Sequence, residues 1–398
     1  MPAVCLYFQV HQPCRLKHYT VFQIGRDHEY FDEANNREIL AKVAQKCYLP
    51  ANQVLHDLIQ QYQGDFRVAF SISGVALDQF IKYHPEVIDS FKGLADTGCV
   101  EFLNETYYHS LAFLYSDKEF ARQVKLHQKK ISRHFGQQPT TFRHTELIYN
   151  NELAAAIRQL GYRTILTEGA DRILGWRSPN YAYQPVSIPE VTLLLRNYRL
   201  SDDISFRFSN RAWSGFPLTA DKYAHWLHQV FRQGDIINLF MDYETFGEHQ
   251  WRETGIFDFL RALPEEILKH PDFVFMTPGE ASREIKPISE LDIPDFISWA
   301  DTERDLSAWQ GNNMQKDAAR SLYQLAESLP VGDERLMDIW GRLQTSDHFY
   351  YMCTKWFADG TVHKYFNPYQ SPYDAYINYM NILDDFSGLI ETAKAGIL

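Results

Sequence analysis

The stretch "NLFMDYETFGEHQW", residues 238–251, begins as a buried strand and then turns acidic. Its apolar beginning belongs to IINLFM at 236–241, and Asp242 follows at once. A buried strand ends in carboxylates only where these side chains reach a solvated cleft or a partner. The stretch therefore predicts an interior strand followed either by a surface turn or by one half of an active site, with further polar side chains close behind: Glu244, Glu248 and His249.

Short apolar segments of the same kind recur through the first three-quarters of the chain and alternate with amphipathic stretches. They are continuous rather than alternating, as strands covered on both faces are. They lie at residues 3–10, 67–73, 99–103, 140–145, 163–168, 191–197, 236–241 and 273–276. Repeated β–α units predict a parallel sheet, and seven or eight of them predict a closed barrel.

Helical patterns fill the rest of the chain. Ser116 and Glu119 predict a capped helix start, and Gly136 its end. From about residue 303 onward the strand patterns cease and amphipathic helical patterns replace them. We therefore expect an α/β barrel over residues 1–300, followed by a C-terminal helical region over residues 301–398 that packs on the barrel.

Composition narrows the class of partner. The net charge of −12 argues against nucleic acid or an anionic membrane surface, because both favour Lys and Arg. No segment is long and apolar enough to span a bilayer, and the N-terminus lacks a basic region like that of a signal peptide. Five scattered cysteines without a C-x-x-C pair indicate reduced thiols. We expect a soluble cytoplasmic protein, and the sequence gives no indication of its oligomeric state.

Polar residues follow the predicted strands at four widely separated places. Strand carboxyl ends share one face of a parallel barrel, so these side chains should meet there. Two carboxylates across a barrel mouth suit glycoside hydrolysis, in which one attacks or stabilises the anomeric carbon and the other protonates the leaving oxygen. A nearby imidazole can hold a sugar hydroxyl. The polar residues that follow the predicted strands are His11, Glu101, Asn104, Glu105, Glu146 and Asp242.

Other interpretations remain open on the residues alone. A metal-dependent polysaccharide deacetylase of related fold would use His11, Asp242 and His249 as ligands, although "HQP" lacks a second close ligand. A barrel could also bind glucan without cutting it. Glu101 could be a structural acid that binds backbone amides. We expect neither a metal nor a cofactor.

Five short motifs occur in order along almost the whole chain. They are "FQVHQP" (8–13), "GCVEFLNETYYHS" (98–110), "FRHTELIYNNEL" (142–153), "LFMDYETFGEHQW" (239–251) and "SWADTERDLSAWQGN" (298–312). With these motifs the chain resembles the α-amylase-like members of glycoside hydrolase family 57. The resemblance implies a (β/α)7 barrel, an incomplete TIM-type barrel, followed by helices, and a retaining mechanism on α-glucans.

The resemblance also implies roles for individual residues. Glu146 would be the nucleophile and Asp242 the general acid/base. The substrate-binding candidates come from the first, second and fifth motifs: His11, Glu101, His109, Trp299 and Asp301, with Trp309 as a further aromatic. We expect an amylase-type hydrolase of α-1,4-glucans or malto-oligosaccharides. A 4-α-glucanotransferase or a branching enzyme would use the same intermediate on Glu146, with a sugar hydroxyl instead of water as the acceptor.

Overall fold

The computed structural model describes residues 1–330, 332–357 and 367–395. Within these residues the strands are β1 (Ala3–Val10), β2 (Val68–Ile72), β3 (Val100–Phe102), β4 (Thr141–Arg143), β5 (Thr164–Glu168), β6 (Ala182–Pro185), β7 (Thr192–Arg196), β8 (Ile236–Asp242), β9 (Val274–Phe275) and β10 (Glu290–Leu291). Seven of them, β1 to β5 with β7 and β8, pair in parallel in chain order. A bridge between Asn104 and Phe142 joins β3 to β4, so the ring closes. The predicted (β/α)7 barrel is confirmed.

Three strands lie outside this ring. β9 was predicted as an eighth strand, but it pairs with β1 only at Ala3 and Val4. β6 pairs antiparallel with β7, and β10 pairs with β6. The sequence did not predict β6 or β10, because both are short and neither has a continuous apolar pattern.

One of the helices around the barrel begins and ends at the residues that the sequence predicts. The hydroxyl of Ser116 accepts a hydrogen bond from the amide of Glu119, and the helix that follows ends at Gly136, where φ is 66°. The helices before the C-terminal region are α1 (Glu33–Val43), α2 (Leu49–Tyr62), α3 (Gly74–Tyr83), α4 (Pro85–Asp96), α5 (Asp117–Phe135), α6 (Asn151–Gln159), α7 (Asp171–Leu174), α8 (Tyr198–Ser205), α9 (Ala220–His228), α10 (Ile256–Leu268) and α11 (Pro278–Glu284).

The C-terminal region is helical, as expected. It contains α12 (Ser307–Gln310), α13 (Asn313–Gln324), α14 (Glu334–Leu343), α15 (Ser346–Tyr350) and α16 (Pro372–Lys394). Its Trp340, Phe349 and Phe386 share one buried apolar cluster with Phe142 and Leu193 of the barrel strands. The helices thus pack directly on the barrel, and a boundary near residue 300 stays a prediction. None of the helices in the described residues is long and apolar enough to cross a bilayer.

Alternate residues along each strand fill the inside of the barrel. On β1 these are Ala3, Cys5 and Tyr7, which pack with Leu166 and Phe240 in a small buried cluster. Polar side chains replace this apolar filling at the carboxyl ends of the strands. The site therefore lies at one end of the barrel, above an apolar plug.

Candidate active site

A cavity of about 550 Å³ opens at the carboxyl ends of the strands. Its walls come from both the barrel and the C-terminal helices, because Trp309, Asp347, Tyr350 and Tyr351 line it together with strand-end residues. Apart from the further aromatic Trp309, which lines the cavity, seven residues were predicted for catalysis or substrate binding. Six of these lie in this cavity: His11, His109, Glu146, Asp242, Trp299 and Asp301. The topology therefore brings together residues that are up to 290 positions apart, from His11 to Asp301 (301 − 11).

Glu146 follows β4 in a strained backbone conformation, with φ 59° and ψ 25°. The segment after β10 holds it there: the amide of Trp299 donates to the carbonyl of Glu146 at 3.1 Å. The side chain of Trp299 also donates, from Nε1 to Oε2 of Glu146 at 2.6 Å. The other carboxylate oxygen, Oε1, lies 3.0 Å from Nε2 of His109. Both oxygens of Glu146 are thus fixed by donors.

A chain of buried charges orients His109. Its Nδ1 lies 2.9 Å from Oε2 of Glu105, a carboxylate with no exposed surface. Burial alone would lower the pKa of His109, but the hydrogen bonds and charges of Glu105 and Glu146 outweigh it and raise the pKa to about 9. His109 is therefore an imidazolium at neutral pH and donates to both carboxylates.

The proton affinity of Glu146 follows from these contacts. Burial would raise the pKa of its carboxyl. The hydrogen bond and charge of His109, the charge of Arg143 and the indole N–H of Trp299 outweigh burial, so the net pKa lies below the ordinary value. Glu146 is ionised at neutral pH, as a nucleophile must be.

Asp242 has the opposite character. It ends β8, in register with Gln9 of β1. Burial, and next the negative charge of Glu146, raise the pKa of Asp242 from 3.8 to about 6, against the lowering effects of Arg143 and Arg196. None of the described residues donates a hydrogen bond to it. Asp242 therefore keeps a proton at mildly acidic pH and is able to give it up.

A second acid lies beside Asp242. Glu244 is buried and accepts hydrogen bonds from the hydroxyl of Tyr48 and the amide of Gln12. Burial and the charge of Asp242 raise the pKa of Glu244 to about 8. This carboxyl is mostly neutral at pH 7, so it adds little charge to the cavity.

His11 joins the barrel to the helical region. Its Nδ1 lies 2.7 Å from the hydroxyl of Ser73, and its Nε2 lies 3.0 Å from Oδ2 of Asp347 at the start of α15. Its ring stacks on that of His109 at 4.0 Å. Both ring nitrogens are engaged by the protein, so Asp347, which is partly exposed in the cavity, is better placed to accept a sugar hydroxyl.

The structure does not bring Glu101 to this cavity, which corrects that prediction. Its carboxylate accepts hydrogen bonds from the hydroxyl of Thr141 at 2.5 Å and the amide of Gly279 at 2.7 Å, beside a separate cavity of about 320 Å³. Glu101 lies at the level of Ala69, near the start of β2. The alternative holds instead: Glu101 is a structural acid bound to a backbone amide.

Sequence reasoning missed two residues that shape the site, Arg143 and Asp347, and it did not choose Glu105 over Glu101. Glu105 occupies the position expected of Glu101, because the chain stays extended as far as the bridge at Asn104 and inward-facing residues alternate. Arg143 ends β4 and is fully buried beside the carboxylates. Asp347 comes from a helix whose pattern gives no indication of what it covers.

The ligands needed for the metal alternative do not come together. Both ring nitrogens of His11 are in hydrogen bonds, with Ser73 and Asp347. Within residues 1–330, 332–357 and 367–395, no group of three His, Cys, Asp or Glu side chains has the arrangement of a metal site. His249 and Asp242 both line the cavity, but they form no such group with His11.

Comparison with known proteins identifies a matching family and a similar protein. The model of the family described as "Glycosyl hydrolase family 57" matches residues 5–294. A relative from Methanocaldococcus jannaschii, described as "Putative alpha-amylase", is 46% identical over 402 aligned positions, which cover 98% of this chain and 85% of the relative.

Solved structures show the same fold at low identity. The GH57-type branching enzyme from Pyrococcus horikoshii has a TM-score of 0.69 and 13% identity, and covers 100% of this chain and 92% of its own. The novel alpha-amylase AmyC from Thermotoga maritima has a TM-score of 0.64 and 14% identity, with 100% and 94% covered. Since the family model spans most of the chain and the Methanocaldococcus relative aligns with almost all of it, the chain belongs to glycosyl hydrolase family 57.

Proposed function

We propose that the protein is a retaining glycoside hydrolase of the α-amylase type, which cleaves α-1,4-glucans with Glu146 as nucleophile and Asp242 as general acid/base. One observation carries the proposal. The pKa values of two carboxyl groups in one cavity are shifted in opposite directions: that of Glu146 is lowered, and that of Asp242 is raised to about 6. A double displacement needs one ionised and one protonated carboxyl.

In the first step Oε of Glu146 bonds to the anomeric carbon and the bond to the leaving sugar oxygen breaks. Asp242 gives its proton to that oxygen. His109 and Trp299 hold Glu146 in position for attack through the bonds of 3.0 and 2.6 Å. The ester that forms on Glu146 is neutral, so the negative charge that raised the pKa of Asp242 disappears. Asp242 is then a carboxylate suited to act as a base.

In the second step a water gives its proton to Asp242 and attacks the anomeric carbon. The ester bond to Glu146 breaks and the original anomeric configuration is restored. A sugar hydroxyl in place of water would give transfer instead of hydrolysis. That alternative uses the same two carboxylates, and the products distinguish it.

The cavity walls support a sugar as the substrate. Trp299, Trp309, Tyr350 and Tyr351 line it together with acidic side chains such as Asp301 and Asp347. Aromatic rings suit the C–H faces of a sugar, and carboxylates accept its hydroxyl groups. The α-glucan itself is inferred from the family and from the relatives described as alpha-amylases.

The test is the product ladder from a purified malto-oligosaccharide, measured with a chelator present. We expect shorter products from the wild type and none from Glu146→Gln or Asp242→Asn. Glu101→Gln is the matched control, because its carboxylate lies outside the cavity, and it should keep turnover. Products longer than the input would indicate a transferase. A wild type without turnover, or variants as active as the wild type, would overturn the proposal.

A second measurement assigns the two roles. An aryl maltoside with a good leaving group needs no proton, so Asp242→Asn should still form the intermediate, whereas Glu146→Gln should not. Azide should rescue both variants, giving the retained glycosyl azide with Asp242→Asn and the inverted one with Glu146→Gln. The reverse pattern would exchange the roles.

The state of the cysteines is evidence about the cellular compartment of the protein. All five are buried and none forms a disulfide. Buried thiols of this kind are typical of a reducing environment. This supports a cytoplasmic location as part of the proposal.

A further inference from the structure

Arg143 is a buried cation beside Trp299 and Glu146. It ends β4, three residues before Glu146, and has no exposed surface. None of its three guanidinium nitrogens makes a hydrogen bond to a described residue. A buried cation without hydrogen bonds is costly unless nearby charges compensate for it. A structural role would normally give a guanidinium fixed partners, so its position points to the reaction.

The surroundings of Arg143 belong to the active site. Its guanidinium carbon lies 4.9 Å from the ring centre of Trp299, over the indole face. The same indole donates to Glu146. The titratable groups that the charge of Arg143 acts on are Tyr7 of β1, Glu105 after β3, His144 and Glu146 after β4, and Asp242 of β8.

A charge count shows what Arg143 contributes. Arg196 also lies over the indole of Trp299, at 5.6 Å, but it is paired with Glu168 and Asp202. Among the remaining groups Glu105 and Glu146 are negative, His109 and Arg143 are positive, and a protonated Asp242 is neutral, so the sum is zero. After the ester forms, Glu146 is neutral and Asp242 is negative, and the sum is again zero. Without Arg143 the same group would carry one net negative charge in both states. A proton on Glu146 would then relieve the imbalance and remove the nucleophile.

We propose that Arg143 is a positioning residue of the reaction: its guanidinium supports the indole that holds Glu146, and its charge balances the carboxylate that moves between Glu146 and Asp242. This inference rests on the proposed function. Arg143 thereby keeps the nucleophile ionised and stays clear of the substrate, since it does not line the cavity.

The experiment compares Arg143→Gln, Arg143→Lys and the wild type on the aryl maltoside. The aryl maltoside needs no proton from Asp242, so the acid limb of its pH profile of kcat/KM reports the ionisation of Glu146. We expect Arg143→Gln to move this limb to higher pH by about 1–3 pH units, as loss of an adjacent opposite charge does. Arg143→Lys should restore the limb. A lower kcat with an unmoved limb would overturn the proposal, because a structural role alone gives that result.

Arg122→Gln is the matched control. Arg122 also lies over an aromatic ring, that of Tyr108 at 5.8 Å, but it pairs with Glu119 on α5 and does not lie over the indole that holds Glu146. Its removal should leave the acid limb in place. If Arg143→Gln does not fold, Arg143→Met provides an uncharged side chain of similar length, with the same expected shift and the same contrary result.

A second readout separates this proposal from the proposed function. In protein labelled with ¹³C at the Glu carboxyls, the resonance missing from Glu146→Gln identifies Glu146. Its titration should move to higher pH in Arg143→Gln, even if the wild type turns over no glucan. Absence of turnover with a shifted titration would reject the proposed function alone. An unshifted titration would overturn the role of Arg143.

Discussion

Replacing Asp242 by Asn should stabilise the protein at neutral pH while abolishing turnover of glucan. The pKa of Asp242 is about 6 in the folded protein, against an ordinary value of 3.8. At 1.36 kcal/mol per pKa unit, the difference of about 2.2 corresponds to about 3 kcal/mol of lost stability once Asp242 is ionised. The amide avoids this cost, and it loses no hydrogen bond, because no described residue donates one to Asp242.

The sign of the effect depends on pH. The folded wild type holds the Asp242 proton more tightly than the unfolded chain does, so its stability falls as pH rises from 3.8 through about 6. The variant lacks this loss. We therefore expect the variant to match the wild type near pH 3.5 and to exceed it fully above pH 7.

Thermal unfolding followed by circular dichroism measures the difference. With an unfolding entropy of about 2.1 cal/mol/K per residue over 398 residues, about 3 kcal/mol corresponds to an increase in Tm of about 4 °C at pH 7.5. Asp347→Asn is the matched control in the same cavity. Burial would raise the pKa of Asp347, but the charge and hydrogen bond of His11 outweigh it and lower the pKa, so that variant should lose stability at pH 7.5.

Two results would refute the reasoning. One is an Asp242→Asn variant whose Tm difference from the wild type does not change between pH 3.5 and 7.5. The other concerns Glu146, whose charge contributes to the raised pKa of Asp242. In a Glu146→Gln background the gain from Asp242→Asn should be smaller, and an equal gain would show that the two carboxyls are not coupled.

Further predictions concern His109 and Trp299, which contact Glu146, and Glu101, which lies outside the cavity. His109→Gln removes the imidazolium that lowers the pKa of Glu146, so the acid limb of kcat/KM should move to higher pH; an unmoved limb would contradict this. Trp299→Phe keeps the ring but loses the donor to Glu146, and a hydrogen bond to a charged group is worth about 1.5–3 kcal/mol, so kcat should fall about 10- to 150-fold. A fall in kcat/KM through KM alone would speak against that role. Glu101→Gln should leave both kcat and KM unchanged. Loss of turnover in a folded variant would show that Glu101 does take part in the reaction or in substrate binding.

The sequence predicted the barrel because its strands are covered on both faces. β1 is buried at all eight positions, so its apolar pattern is continuous and easily recognised. β6 and β10 have sequences as short and polar as "AYQP" and "EL", and their pairing depends on neighbours rather than on their own pattern. The prediction therefore succeeded where burial leaves a pattern in the sequence and failed where tertiary contacts alone decide.

The site was predicted to the extent that topology determines it. Acids after strand ends had to meet, and Glu146 and Asp242 do line one cavity. Choosing between Glu101 and Glu105 required knowing where β3 stops facing inward. At roughly 3.3 Å per residue, four residues separate the two carboxylates by about 13 Å along the strand. Asp347 could not be found at all, because a helical pattern does not reveal which surface the helix covers.

The backbone of the site explains why so much depends on contacts distant in sequence. His109, Glu146 and Asp301 all have positive φ, of 51°, 59° and 55°. Each such non-glycine residue costs about 1–3 kcal/mol and persists only where its surroundings enforce it. For Glu146 the enforcement comes from the amide and the indole of Trp299 and from His109, itself strained. A local motif identifies the proposed nucleophile, but its carboxylate is held in place only when residues 297–299 close over it. Substitutions there should therefore impair the proposed reaction without touching either of the two carboxyls assigned to it.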